Sequence, residues 1–282
     1  MTSMVQQHWT LVWCALLALS ASVSASAEPP IRPPLRLGSA VMDSVPVMQK
    51  RLLPLAAYLS TELGRPVTLN LASNMSGAIH DFTADEVDFA FLTPFAYVEA
   101  HSQAKARLVV KAVTNGESVL KLVIITRADG PIRTVADLAG KKFAFGDRAA
   151  LMQRAVVVGA GMPLERLGNY VFLDHFNNIV RGVLNRDFDA GIVPDDAALL
   201  WKDKGLRAVY RSPNLPPFNI AASQKLDAAT FSALQAALLR LNIANPEHRK
   251  VLRSLSESCS GFTTVSDAEY EPVRELIKPF KK

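Results

Sequence analysis

Residues Asp88-Phe89-Ala90-Phe91-Leu92-Thr93-Pro94-Phe95-Ala96-Tyr97 decide the fold class of this 282-residue chain. The apolar run ending at Leu92 has the pattern of a buried strand, and it breaks at a Thr-Pro pair. Thr is a good helix N-cap, and Pro is favoured at the first helical position, where no amide hydrogen bond is lost. The segment therefore reads as strand, tight turn, helix. Such a turn points free backbone N–H groups and the positive end of a helix dipole at whatever lies above the sheet, a setting that suits an anion.

The same alternation extends in both directions. A short strand at 35–38 precedes a helix over 47–63, which Gly64 closes as a natural C-cap. A strand at 67–71, a helix at 76–84 and the strand at 87–92 complete a βαβαβ run, the signature of a parallel sheet with helices on its faces. Strand-like segments at 108–113 and 119–126 flank the turn Thr114-Asn115-Gly116-Glu117. A second series follows. Thr134-Val135-Ala136-Asp137 fits a capping box whose helix stops at Gly140. Strands at 142–146, 170–173 and 190–193 alternate with helices at 151–159 and 177–185, and a strand at 207–211 returns. The last 60 or so residues read as helices over 228–242, 246–255 and 268–278. The chain crosses between the two series near 113–122 and near 211–220, which makes a plausible two-strand hinge.

Residues 1–27 stand apart. An apolar run at 9–19 is too short to span a bilayer comfortably, and Ala25-Ser26-Ala27 has the small-x-small form of a signal-peptidase site. The n-region, residues 1–8, carries no Lys or Arg, and an uncleaved anchor is the alternative. Cys14 follows the bulky Trp13, which does not suit lipid attachment. The expectation is a signal peptide cut after Ala27 and a soluble periplasmic protein. Residues 28–282 keep one cysteine, Cys259, so neither an intramolecular disulfide nor a cysteine-based zinc cluster is available. The net charge of +5 is scattered. That argues against nucleic acid and is compatible with a small anionic ligand. No Gly-x-Ser-x-Gly, His-Glu-x-x-His or phosphate-loop pattern is present, so no catalytic residue, metal ligand or cofactor is assigned.

Several stretches carry a resemblance: residues 52–59 (Leu-Leu-Pro-Leu-Ala-Ala-Tyr-Leu), 87–97, 134–145 (Thr-Val-Ala-Asp-Leu-Ala-Gly-Lys-Lys-Phe-Ala-Phe), 183–191 and 267–274. In order and spacing the chain resembles the periplasmic substrate-binding proteins of phosphate/phosphite/phosphonate ABC transporters over most of 35–280. The resemblance implies a two-lobed α/β type II periplasmic binding fold. Residues 28–117 and 216–282 would form lobe 1, residues 118–215 lobe 2, and a two-strand hinge would join them. It also implies a monomer that closes on a small oxyanion and delivers it to an ABC permease. A ligand sensor for a membrane histidine kinase is the alternative, and an exported enzyme on the same fold a more distant one. The sequence departs from the family after Phe145. Gly146-Asp147-Arg148-Ala149-Ala150-Leu151-Met152 lacks the hydroxyl-rich turn that grips the anion, and the tyrosine after the second strand is replaced near Met75.

Ligand-binding candidates follow from these turns. Thr93 and Tyr97 sit at the matching family turn; the alternatives are a pure cap for Thr93 and a ring packed beneath the cleft for Tyr97. Arg148 can fork onto an oxyanion in place of the missing hydroxyls, or pair with Asp147, Asp195 or Asp196. His175 and Asn177 lie just after another strand, where the family places a polar contact. Asp195, with Asp196 beside it, occupies a family position for a cleft-facing acid, or simply caps a helix. Ser44 and Ser73 lie in the first two strand-to-helix turns.

Overall fold

The computed structural model describes residues 32–39, 43–149 and 151–281; the signal segment read at 1–27 lies outside them. The chain first lays down β1 (Leu35–Ser39), α1 (Val45–Leu63), β2 (Val67–Leu71), α2 (Met75–Thr83), β3 (Phe89–Leu92), α3 (Pro94–Ala104) and β4 (Arg107–Thr114). It crosses to β5 (Leu122–Arg127), β6 (Lys142–Phe145), α4 (Leu151–Gly159), β7 (Asn169–Phe172), α5 (Phe176–Leu184), β8 (Ala190–Pro194), α6 (Asp195–Leu199) and β9 (Leu206–Arg211). It returns with β10 (Asn219–Ala222), α7 (Ala228–Arg240), α8 (Pro246–Leu255), β11 (Cys259–Thr263) and α9 (Glu271–Ile277).

Two sheets result among the described residues, ordered β11-β4-β10-β3-β1-β2 and β7-β6-β8-β5-β9. In the first, β1 pairs in parallel with both β2 and β3, while β10 runs antiparallel between β3 and β4. In the second, β6 pairs in parallel with β7 and β8, and β5 runs antiparallel between β8 and β9. β3 shows why its sequence decides the fold. All four residues are buried, with Phe89 and Phe91 packed into one core and Ala90 and Leu92 into another. A strand apolar at every position has helices on both faces of its sheet. The break into α3 is as the residues imply: Thr93 Oγ1 accepts the Ala96 N–H at 3.1 Å, and Pro94 occupies the first turn. Gly64 closes α1 in the left-handed region at φ +56°, where a side chain would be strained.

Three sequence expectations change. The C-terminal region is not all helical, because Cys259–Thr263 adds β11 to the edge of β4. The helix expected from Thr134 shrinks to a single 3-10 turn at Ala136–Leu138. There Asp137 accepts the N–H groups of Arg133 and Thr134 and the Thr134 hydroxyl, but Ala139 leaves the helical region at ψ 130° and Gly140 follows at φ +69°, which ends the turn. The expected helix over 268–278 is split into a 3-10 turn at Asp267–Tyr270 followed by α9.

Two connections join the sheets, β4 to β5 and β9 to β10. They are laced together: Leu120 and Leu215 exchange backbone hydrogen bonds at 2.8 and 2.9 Å, and Leu122 N–H donates to Ser212 Oγ at 3.0 Å. One hydrophobic core runs past this ribbon from one sheet to the other, holding Phe95, Tyr97 and Tyr270 together with Phe143, Phe145 and Met152.

Candidate functional site

The carboxyl ends of β1, β3, β6, β7 and β8 all open towards one cleft between the sheets, the place where open α/β sheets bind ligands. The turn after each of these strands, and α2 after β2, contributes a lining residue, and the cleft is divided. A large chamber of about 260 Å³ lies beside Asp43, Arg51, Asn177, Asp196, Arg253 and Cys259, among others. A small chamber of about 40 Å³ lies beside Met75, Thr93, Asp147 and Gln153. Phe176, Pro194 and Phe218 line both and so form the partition, with Phe218 stacked on Phe91 at 5.6 Å.

Three polar links cross the cleft. Asp147 Oδ2 accepts the Met75 N–H at 2.7 Å, so a carboxylate from the second sheet sits at the N-terminus of α2. Asn177 Nδ2 donates to Asp43 Oδ2 at 2.9 Å. Asp196 Oδ2 accepts the hydroxyls of Ser256 at 3.1 Å and Ser258 at 3.4 Å. An ionised carboxylate on a helix N-terminal amide is among the stronger protein hydrogen bonds.

The sequence candidates divide accordingly. Thr93 lines the small chamber and Asn177 the large one. The others are placed elsewhere. Tyr97 is buried, and its hydroxyl donates to Asp267 Oδ1 at 2.5 Å while its ring packs edge-on against Tyr270. Burial and that bond together push its phenol well above the usual range. Arg148 is exposed and pairs with none of the acids considered for it; its guanidinium lies over the Phe172 ring at 4.6 Å. His175 takes the N-cap position of α5 without a side-chain cap, and its buried Nδ1 has no partner among the described residues. Asp195 donates its N–H to the Lys121 carbonyl and stands off both chambers; burial, then the neighbouring Asp196, raises its carboxyl. Ser44 precedes α1 without capping it through its side chain, and Ser73 is exposed.

Sequence reasoning passed over Asp43, Arg51, Arg253 and the three partition residues. Arg253 ends α8, far along the chain from every turn considered, so no local signal pointed to it. Asp147 entered the sequence reading as a possible partner of Arg148. Its Oδ1 instead accepts the Ala149 N–H at 2.7 Å, and the other oxygen serves α2. Among the described residues no group of three or more His, Cys, Asp or Glu side chains is arranged to hold a metal ion.

Residues 38–270 match the family of ABC transporter, phosphonate, periplasmic substrate-binding proteins. The chain belongs to this family. Members are transport proteins that bind a substrate, not enzymes. The phosphate-import protein PhnD of Mycolicibacterium smegmatis is 26% identical over 253 residues, covering 79% of this chain and 78% of that one. The structure of PhnD1 from Prochlorococcus marinus in complex with methylphosphonate aligns with a TM-score of 0.78 at 17% identity, over 88% of this chain and 98% of that one. A phosphonate-transporter binding protein from Pseudomonas aeruginosa aligns with a TM-score of 0.76 at 21% identity, over 87% and 85%. These likenesses establish the two-lobed type II periplasmic binding fold. Among the described residues no helix is long and apolar enough to cross a membrane.

In this phosphonate-binding family member the one free cysteine among the described residues, Cys259, lines the large chamber. Cys259 is 4% exposed, and burial pushes its thiol up to about 11, against the opposing pull of the Gly261 backbone and of Arg253. Alkylation of Cys259 by iodoacetamide is expected to be about a hundredfold slower at pH 8 than for a free thiol, and to climb roughly tenfold per pH unit up to about pH 10. Peptide mapping by mass spectrometry reads the rate; a midpoint at about pH 8.5, with levelling above about pH 9.5, would show an ordinary thiol.

Proposed function

We propose that this protein is the exported solute-binding component of an ABC importer, working as a periplasmic monomer after loss of residues 1–27. It closes its two lobes on a small oxyanion of the phosphate, phosphite or phosphonate kind and delivers it to a membrane permease. The observation that supports this most is the convergence of turns from both sheets on one cleft bridged by polar contacts from either side. A ligand held there would touch both lobes and stabilise the closed form, which is what a permease can recognise. The two laced connections between the sheets supply the hinge.

The test is affinity capture from detergent-solubilised membranes of the source cell, with the captured proteins identified by mass spectrometry. An ABC permease is expected. Capture of a membrane histidine kinase in its place would make the protein a sensor, and capture of neither would contradict delivery to the membrane.

A further inference from the structure

The small chamber holds donors in want of an acceptor and a carboxylate with capacity to spare. Gln153 is 4% exposed and lines it. Its Oε1 accepts the Gly146 N–H at 2.7 Å, which fixes the amide and leaves Nε2 donating to no described residue. Thr93 lines the chamber from the side of the first sheet. Its Oγ1 accepts the Ala96 N–H, so the hydroxyl hydrogen has only the Met75 sulfur at 4.0 Å, a weak acceptor. Phe95, beside it, stands in the first turn of α3, where backbone N–H groups lack intrahelical acceptors. Asp147 holds the Met75 and Ala149 N–H groups on separate oxygens, and each oxygen keeps a second lone-pair site.

Size and charge narrow what can enter. At about 40 Å³ the chamber has room for about three water-sized atoms, the scale of the three oxygens of a phosphonate head. Among the described residues that line it there is no Lys, Arg or His; the charged ones are Asp147 and the exposed Asp174. A fully ionised oxyanion would lie against a carboxylate with no cation to offset the repulsion. An oxyanion that keeps one hydrogen escapes this, because its O–H donates to the carboxylate in a short, strong bond. Its charged oxygens then accept from Gln153 and Thr93. Phosphorus oxyanions hold their last proton close to the neutral range, whereas sulfonates and sulfate carry none there. The apolar wall of Phe95, Leu120, Leu122 and Met152 keeps the polar contacts in a setting where they count for more.

We infer that the small chamber seats the head group of a singly protonated phosphorus oxyanion, with Gln153 and Thr93 donating to its charged oxygens and Asp147 accepting its remaining hydrogen. This rests on the oxyanion-binding function proposed above and names the protonation state and the contacts by which that cleft selects. Asp147 is the residue that rejects oxyanions unable to carry the hydrogen.

Calorimetric titration at neutral pH compares methylphosphonate with methanesulfonate, its counterpart without an acidic hydrogen, and phosphate with sulfate. The phosphorus anions are expected to bind, and the sulfur anions to be weaker by about a hundredfold or more. Asp147→Asn removes the repelling charge and keeps an oxygen, so methanesulfonate is expected to gain and the ratio to shrink to within about tenfold. Gln153→Glu preserves the acceptor for Gly146 and replaces the free donor by a carboxylate. Methylphosphonate is expected to weaken by about a hundredfold in that variant, with an unchanged circular-dichroism spectrum. Equal binding of methylphosphonate and methanesulfonate, or a ratio untouched by Asp147→Asn, would overturn the shared hydrogen while leaving an oxyanion-binding protein in place. Methylphosphonate affinity unmoved by Gln153→Glu would overturn the seat. Silence from both phosphorus anions would overturn the inference and the ligand class together, whereas permease capture judges the transport role separately.

Discussion

Tyr270→Ala is expected to destabilise the protein by about 3–5 kcal/mol, the range for emptying a large aromatic from a closed core. Tyr270 is fully buried, packs edge-on against Tyr97 at 4.8 Å and donates its hydroxyl to the Pro217 carbonyl at 3.1 Å. The substitution removes ring contacts, leaves a cavity, and strips a buried carbonyl of its donor. The position matters beyond its own contacts. The core around Tyr270 includes Phe95 from α3, on the side of the first sheet, and Phe143 and Phe145 from β6 and Met152 from α4, on the side of the second. Looser packing here therefore weakens both lobes at once. Urea unfolding followed by circular dichroism measures the loss; a change below about 1 kcal/mol would mean that the site collapses around the gap.

Asp147→Ala comes second in size. It removes the acceptor of the Met75 N–H and leaves the first amide of α2 unpaired beneath the opposite lobe. A hydrogen bond to a charged group contributes about 1.5–3 kcal/mol. Because this bond exists only when the lobes meet, its loss is charged to the closed form. Ligand affinity is expected to fall by about ten- to a hundredfold, at 1.4 kcal/mol per decade. Asp147→Asn keeps an acceptor oxygen and is expected to recover part of the loss. Titration of methylphosphonate against all three proteins reads the effect, and equal affinities would show that the contact does not couple to closure.

The fold was legible where its causes are local. Phe89-Ala90-Phe91-Leu92 followed by Thr93-Pro94 contains the strand, the cap and the helix start within six residues, and each forms as read. β11 was not legible, because Cys259-Ser260-Gly261-Phe262-Thr263 has no clear alternation and becomes a strand only by pairing with β4, far back in the chain. The turn at Thr134 stays short for a different reason: Asp137 makes the capping bond to the Thr134 N–H, yet the backbone leaves helical space at Ala139 and Gly140 one turn later.

The site was half legible. Turns following strands pointed to the cleft, and from them Thr93 and Asn177 reach its chambers. Tyr97 shares the turn of Thr93, but its phenol is claimed by Asp267, which arrives from the C-terminal segment. Arg148 has an aromatic neighbour on β7 that no spacing rule reveals. The missing hydroxyls after Phe145 were visible as a departure. That Asp147 completes a helix of the other sheet, and that Arg253 reaches the large chamber from the last turn of α8, were not.

The central claim is that two lobes close on a solute, and small-angle scattering tests it most directly. The protein is measured alone and then saturated with whichever of methylphosphonate, phosphite or phosphate binds in titration. The saturated sample is expected to match the curve calculated from this structure, in which Asp147, Asp43 and Asp196 bridge the cleft, and the free protein to show a larger radius of gyration. Identical curves with and without bound anion would contradict closure as the signal of a loaded protein.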